Sequence, residues 1–138
     1  MKIIFYPVKT GSAKIHLLLQ CISHHFTQKE PIQVVVPDTK SLTFIDNLLW
    51  NEPKESFLPH CTSRVIPFYD LIYICLKEEL SEDFPFVFNL CSTPYESISR
   101  TKTLYEFEDY SHPDKKALFR MKFKHYQSLG HTLSEGTP

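Results

Sequence analysis

Residues with the chemistry for metal binding or nucleophilic attack are few in this chain, and their spacing works against both uses. His24-His25 and His60-Cys61 come nearest to a ligand or nucleophile set. Adjacent helix residues project about 100° apart, so His24 and His25 do not converge readily on one ion. Neighbours on an extended loop also diverge, which separates His60 as a base from the Cys61 thiol. These histidines read as surface residues, and no paired carboxylates stand out for acid–base work. Gly11-Ser12-Ala13-Lys14 follows a first apolar run where a phosphate loop would lie, but it lacks the spacing of such a cradle. Only three glycines occur, at 11, 130 and 136, so a glycine–serine helix start capped by Ser12 is the simpler reading. No catalytic set, metal site or cofactor is expected.

Two other groups of residues suit contact rather than catalysis. A helix carrying Ile45, Leu48 and Leu49 runs into Trp50 and stops before Pro53, leaving Trp50 and Phe57 on either side of a 51–55 turn. Large exposed rings of this kind favour protein partners. On the last helix, a count of 100° per residue brings Lys116, Arg120, Phe123 and Gln127 onto one face, with Lys124 beside them. Leu118, Met121, Tyr126 and Leu129 fall opposite and read as the inward side, with His125 towards them as a core histidine. Phe123 then stands among cations, where core burial does not account for it. Such a face suits an acidic peptide with a hydrophobic end, or a stacked base and its phosphate.

The elements that must position these groups follow from hydrophobic patterning. Ile3–Tyr6 and Ile32–Val36 are compact apolar runs suited to buried parallel strands. Between them Ile15, Leu18, Leu19, Ile22 and Phe26 recur at helical spacing, giving a strand–helix–strand crossover unit. Asp38 is the expected cap of the helix that ends near Trp50. Leu71–Leu76 and Phe86–Cys91 are further strand candidates, Tyr95–Arg100 a short helix, and Thr103–Phe107 an edge strand. Pro113 opens a last helix that closes at Gly130.

A chain of 138 residues, 42% of them hydrophobic, holds ample material for one core. One α/β domain over 1–130 is expected, with 131–138 as a flexible tail. The net charge of −1 supplies no global attraction for nucleic acid, so binding of that kind would need a local patch. Cys21, Cys61, Cys75 and Cys91 are widely spaced and read as reduced, mostly buried thiols. No apolar run approaches the roughly 20 residues that span a bilayer, and a soluble cytoplasmic protein is the expectation.

Phe5-Tyr6, Asp46-x-x-Leu49-Trp50, Pro53-x-x-Ser56-Phe57-Leu58-Pro59-His60 and Arg120-x-x-Phe123-Lys124-x-Tyr126-x-x-x-Gly130 occur in that order along the chain. Together they resemble the chi subunit family of bacterial DNA polymerase III, with the Trp50–His60 segment as the specific part. The resemblance implies a three-layer α/β/α domain with a mostly parallel sheet, Rossmann-like but without a nucleotide-binding glycine loop. It also implies a cytoplasmic, replisome-associated adaptor without catalytic activity, cofactor or membrane contact, linking the clamp loader to single-stranded DNA-binding protein. Trp50 and Phe57 match family positions that contact the psi subunit. Lys116, Arg120, Phe123 and Lys124 match the face that receives the acidic, phenylalanine-ended tail of single-stranded DNA-binding protein, so contact with DNA would be mainly indirect. Phe123 stands where a tyrosine is often seen, so the apolar platform is kept without its hydroxyl. From the residues alone, direct single-stranded nucleic-acid binding by the last helix is the competing reading.

Overall fold

Ile32 to Val36 are buried at every position, as a parallel strand must be when helices or loops cover both faces of its sheet. In the computed structural model, which describes residues 1–51, 58–62, 71–96 and 100–136, this segment is β2. It follows β1 (Lys2–Val8) and α1 (Gly11–Thr27), and precedes α2 (Thr39–Asn51) and the short β3 (His60–Cys61). The chain continues through β4 (Ile72–Leu76), a single 3-10 turn at Lys77–Glu79, and β5 (Phe86–Asn89). It ends with β6 (Thr103–Asp109), α3 (Pro113–Ser128) and β7 (Thr132–Glu135).

Among the described residues, seven strands form one sheet in the order β3-β4-β2-β5-β6-β1-β7, and every neighbouring pair is parallel. The α1 crossover therefore carries the chain from β1 past β6 and β5 to β2. Alternate side chains divide the core between the two faces. Ile32, Val34, Val36, Ile72 and Ile74 pack with Leu17, Leu18 and Ile22 of α1 and Ile45 and Leu49 of α2. Ile3, Phe5, Val35, Tyr73, Val87 and Leu104 face the other way, towards Tyr126 of α3 and Phe84 and Tyr95 of the connecting loops. The result is the expected three-layer α/β/α arrangement, with a sheet that is parallel throughout.

Local signals explain several boundaries. Asp38 accepts the Ser41 backbone N–H at 2.7 Å and so starts α2 as its sequence suggested. The cap of α1 is Thr10, whose hydroxyl oxygen accepts the Ala13 N–H at 3.0 Å. The expected cap, Ser12, lies inside the first turn. Gly130, at φ 80°, reverses the chain after α3 in the left-handed conformation that glycine tolerates best.

Three segments depart from their sequence reading. Thr103–Asp109 is not an edge strand but lies between β5 and β1, because its polar positions find partners inside the fold instead of water. Where a frayed tail was expected from His131, Thr132–Glu135 pair with Lys2–Phe5, satisfying the outer backbone groups of β1. The Gly136 N–H continues that register by donating to the Phe5 carbonyl at 2.8 Å. Tyr95 and Glu96 carry no helix, and residues 97–99 of the expected short helix lie outside the described residues.

Candidate functional site

The orientation of α3 decides which of its side chains reach solvent. His112 caps the helix, its Nδ1 accepting the Asp114 N–H at 3.1 Å, and Pro113 occupies the first turn. Phe119, Lys122 and Tyr126 then face the sheet at the three- and four-residue spacing of one helical side, with Lys122 and Tyr126 buried. Lys122 enters the interior because β6 presents Glu106 there. Its ammonium lies 2.8 Å from Glu106 Oε1 and also donates to the Cys91 carbonyl. Glu106 Oε2 accepts the Tyr126 hydroxyl at 2.6 Å and the Asn89 amide at 2.8 Å. Burial pushes the Glu106 carboxyl above its ordinary range, opposed by the adjacent Lys122 charge and these hydrogen bonds.

This network corrects the expected inward side. Tyr126 is buried as anticipated, but Leu118, Met121 and Leu129 are exposed, since a helix turned to bring Lys122 onto Glu106 carries them away from the sheet. His125 is only partly covered, and its Nε2 has no hydrogen-bond partner among the described residues, unlike the satisfied core histidine expected. Sequence reasoning missed Glu106, Asn89 and Lys122 altogether. Their types read as solvated, and the signal that could have found them is a glutamate within an otherwise apolar strand run.

The same orientation leaves the predicted binding residues together on the outer flank. Phe123 is 37% exposed, with its inner edge against Phe5 of β1 at a ring separation of 5.6 Å. It is a shelf supported by the core, not an isolated surface ring. Arg120 and Lys124 are exposed beside it, and Lys116 is half-buried with its ammonium 5.8 Å from the Tyr110 ring centroid. Among the described residues none of these three cations forms an ion pair. They are electrostatically available to an external anion.

The second group lies at the end of α2. Trp50 is 50% exposed, yet its indole N–H donates to Asp46 Oδ1 at 3.1 Å, one helical turn back. His60 reaches the same Oδ1 through Nε2 at 2.6 Å, and its Nδ1 lies 2.9 Å from the Leu58 carbonyl. The His60 ring packs on Trp50 with centroids 4.5 Å apart. Asp46, His60 and Trp50 thus lock one another, which holds a large exposed ring in a fixed pose. His60 is buried rather than on the surface, because both its ring nitrogens are engaged. Phe57, expected beside Trp50, lies outside the described residues.

Most of the remaining chemical candidates are engaged by partners within the fold. His24 is exposed as expected, but His25 is buried, with Nε2 2.7 Å from the Tyr105 hydroxyl and Nδ1 3.2 Å from Glu30. Among the described residues no group of three or more His, Cys, Asp or Glu side chains is placed to hold a metal ion. Cys61 donates its thiol to the Ile72 carbonyl. Burial pushes the Cys21 and Cys75 thiols up to about 12, so neither is a thiolate near neutrality. Among the described residues no helix is long and apolar enough to cross a membrane.

The two exposed groups are well separated. Trp50 packs on β3 from the α1–α2 side of the sheet, whereas Phe123 packs on β1 from the α3 side. Five strand spacings lie between β3 and β1, on the order of 24 Å. A family model described as DNA polymerase III chi subunit, HolC, matches residues 1–134 of the chain. No curated protein sequence matches it.

Proposed function

From the premise that this chain belongs to the chi subunit family of DNA polymerase III, and so is an accessory subunit in DNA replication, we propose that it is a non-enzymatic cytoplasmic adaptor with two docking faces. The α3 face receives the acidic C-terminal tail of single-stranded DNA-binding protein, and the Trp50 face, with Phe57, holds a psi-like subunit of the clamp loader. The observation that carries this reading is the arrangement of Lys116, Arg120 and Lys124, without ion pairs among the described residues, around the half-exposed Phe123 shelf.

In this reading Arg120 forks onto a carboxylate of the tail while an apolar terminal side chain rests against Phe123. The cations steer the acidic peptide during encounter, so affinity falls as salt screens them. The locked Trp50 supplies the other partner with an anchor whose conformational freedom is already spent, which favours binding.

Fluorescence anisotropy with a labelled acidic peptide ending in proline and phenylalanine tests the α3 assignment. Arg120→Ala is expected to weaken binding by about 1.5–3 kcal/mol, the usual range for a charged hydrogen bond. Arg120→Ala with Phe123→Ala should abolish it at accessible concentrations. An unchanged affinity would remove this face from the role. Titration with single-stranded oligonucleotide alone separates the adaptor from a direct nucleic-acid binder, since only the latter binds without the peptide.

A further inference from the structure

A cavity of about 630 Å³ opens at the carboxyl ends of β1, β2, β5 and β6, where α1, α2 and the first turns of α3 meet over the sheet edge. Neither proposed docking face contributes to it: α3 presents Lys115, Leu118 and Phe119 here, and Phe123 elsewhere. Its walls are mainly apolar, and Phe44 of α2 and Leu118 of α3 stand at the rim 52% and 38% exposed. The volume lies within the range of about 300–1,000 Å³ usual for small-molecule sites, which also favour this end of parallel strands.

The charge of the lining is the second observation. Four lysines line the cavity against two carboxylates, in a chain whose net charge is −1. Glu106 is occupied by Lys122. Asp109 serves both Lys14, in direct contact, and Lys115, 3.9 Å from the same oxygen. Lys40 pairs with none of the described carboxylates. Within the lining, one carboxylate is thus left for three ammonium groups around an apolar hollow, and outside it the Asp38 carboxyl feels the Lys40 charge. The proximity of Lys14 also pulls the Lys115 pKa down, a like-charge strain that an incoming anion would relieve.

We propose that this cavity binds a small organic anion, its apolar body between Phe44 and Leu118 and its carboxylate or phosphate among Lys14, Lys40 and Lys115. A dinucleotide is disfavoured by the first turn of α1. That turn holds a single glycine, Gly11, whereas a pyrophosphate cradle uses several.

The dye anilinonaphthalene sulfonate has this chemistry, and its uncharged parent phenylnaphthylamine has the rings without the anion. Fluorescence titration of the full chain should give saturable one-to-one binding of the sulfonate and binding of the neutral dye at least about tenfold weaker, as loss of a charged contact implies. Lys14→Met with Lys115→Met should weaken the sulfonate by about tenfold or more. Leu118→Glu should do the same and, being at an exposed rim position, keeps the test decisive if the lysine variant loses its fold. Displacement of the dye by phenyl phosphate or by benzoate would support the site and identify the preferred anion. Unsaturable emission, equal affinity for the two dyes, or unchanged affinity in a variant with a native melting curve would overturn the proposal.

Discussion

Lys122 is the residue on which the rest of α3 depends. Its pair with Glu106 is buried on both sides, so replacing only the lysine leaves a buried carboxylate without its counter-charge. Lys122→Met should cost about 3–5 kcal/mol in denaturant unfolding. Adding Glu106→Gln should recover part of that loss, and a strictly additive double variant would contradict the coupling. His25 sets a pH dependence of definite sign. Burial, the largest influence, pulls its pKa below 6.5, while Glu30 opposes this. The unfolded chain therefore takes up a proton near pH 6.5 that the folded chain refuses until lower pH. The His25 contribution is present in full above that value and is lost as pH falls through it. Melting temperature should consequently drop more steeply below pH 6.5 in the natural chain than in His25→Gln, and parallel slopes would exclude His25 as the source. Both residues escaped the sequence reading for one reason: residue type alone suggests a solvated lysine and a surface histidine, and only a partner distant in sequence, Glu106 or Tyr105, brings each inside.

At the scale of elements, periodic apolar runs disclosed β1, α1, β2, α2, β4, β5 and α3 to within a few residues. What they could not disclose was which polar residues serve the backbone and which strands meet. Asp38 was recognised as a cap, but Thr10 was passed over for Ser12, since both are good cap types two residues apart. Thr10→Ala should therefore cost about 1 kcal/mol in thermal unfolding and Ser12→Ala much less, and the reverse order would restore Ser12 to the cap. β7 was illegible because Thr132–Glu135 is short and largely exposed on its outer side, with no apolar alternation of its own. It is a strand because β1 offers a register. Gly136 closes that register over Tyr6 and Ile4, where an added Cβ would collide with both side chains. Gly136→Ala should accordingly lower the melting temperature, and an unchanged value would show that this end of the chain yields without cost.

Across the whole molecule, the parallel sheet separates the two proposed docking faces, which lie on opposite sides and near opposite edges. The exposure of Trp50 and of Phe123 was legible, because a tryptophan at a helix end and a phenylalanine among cations stand out as residue types; Phe57 lies outside the described residues. Their separation was not legible, since it depends on a strand order that puts β3 and β1 five strands apart. The proposed adaptor role needs that separation so that two partners bind at once without clashing. Trp50, the sole tryptophan, reports directly on its own face. The decisive measurement is a titration of a psi-like subunit followed by Trp50 emission, performed with and without a saturating phenylalanine-ended acidic peptide on α3. The expected result is an emission change with the same midpoint in both series and undiminished peptide anisotropy throughout. Mutual displacement of the two ligands, or an emission change produced by the peptide alone, would contradict it.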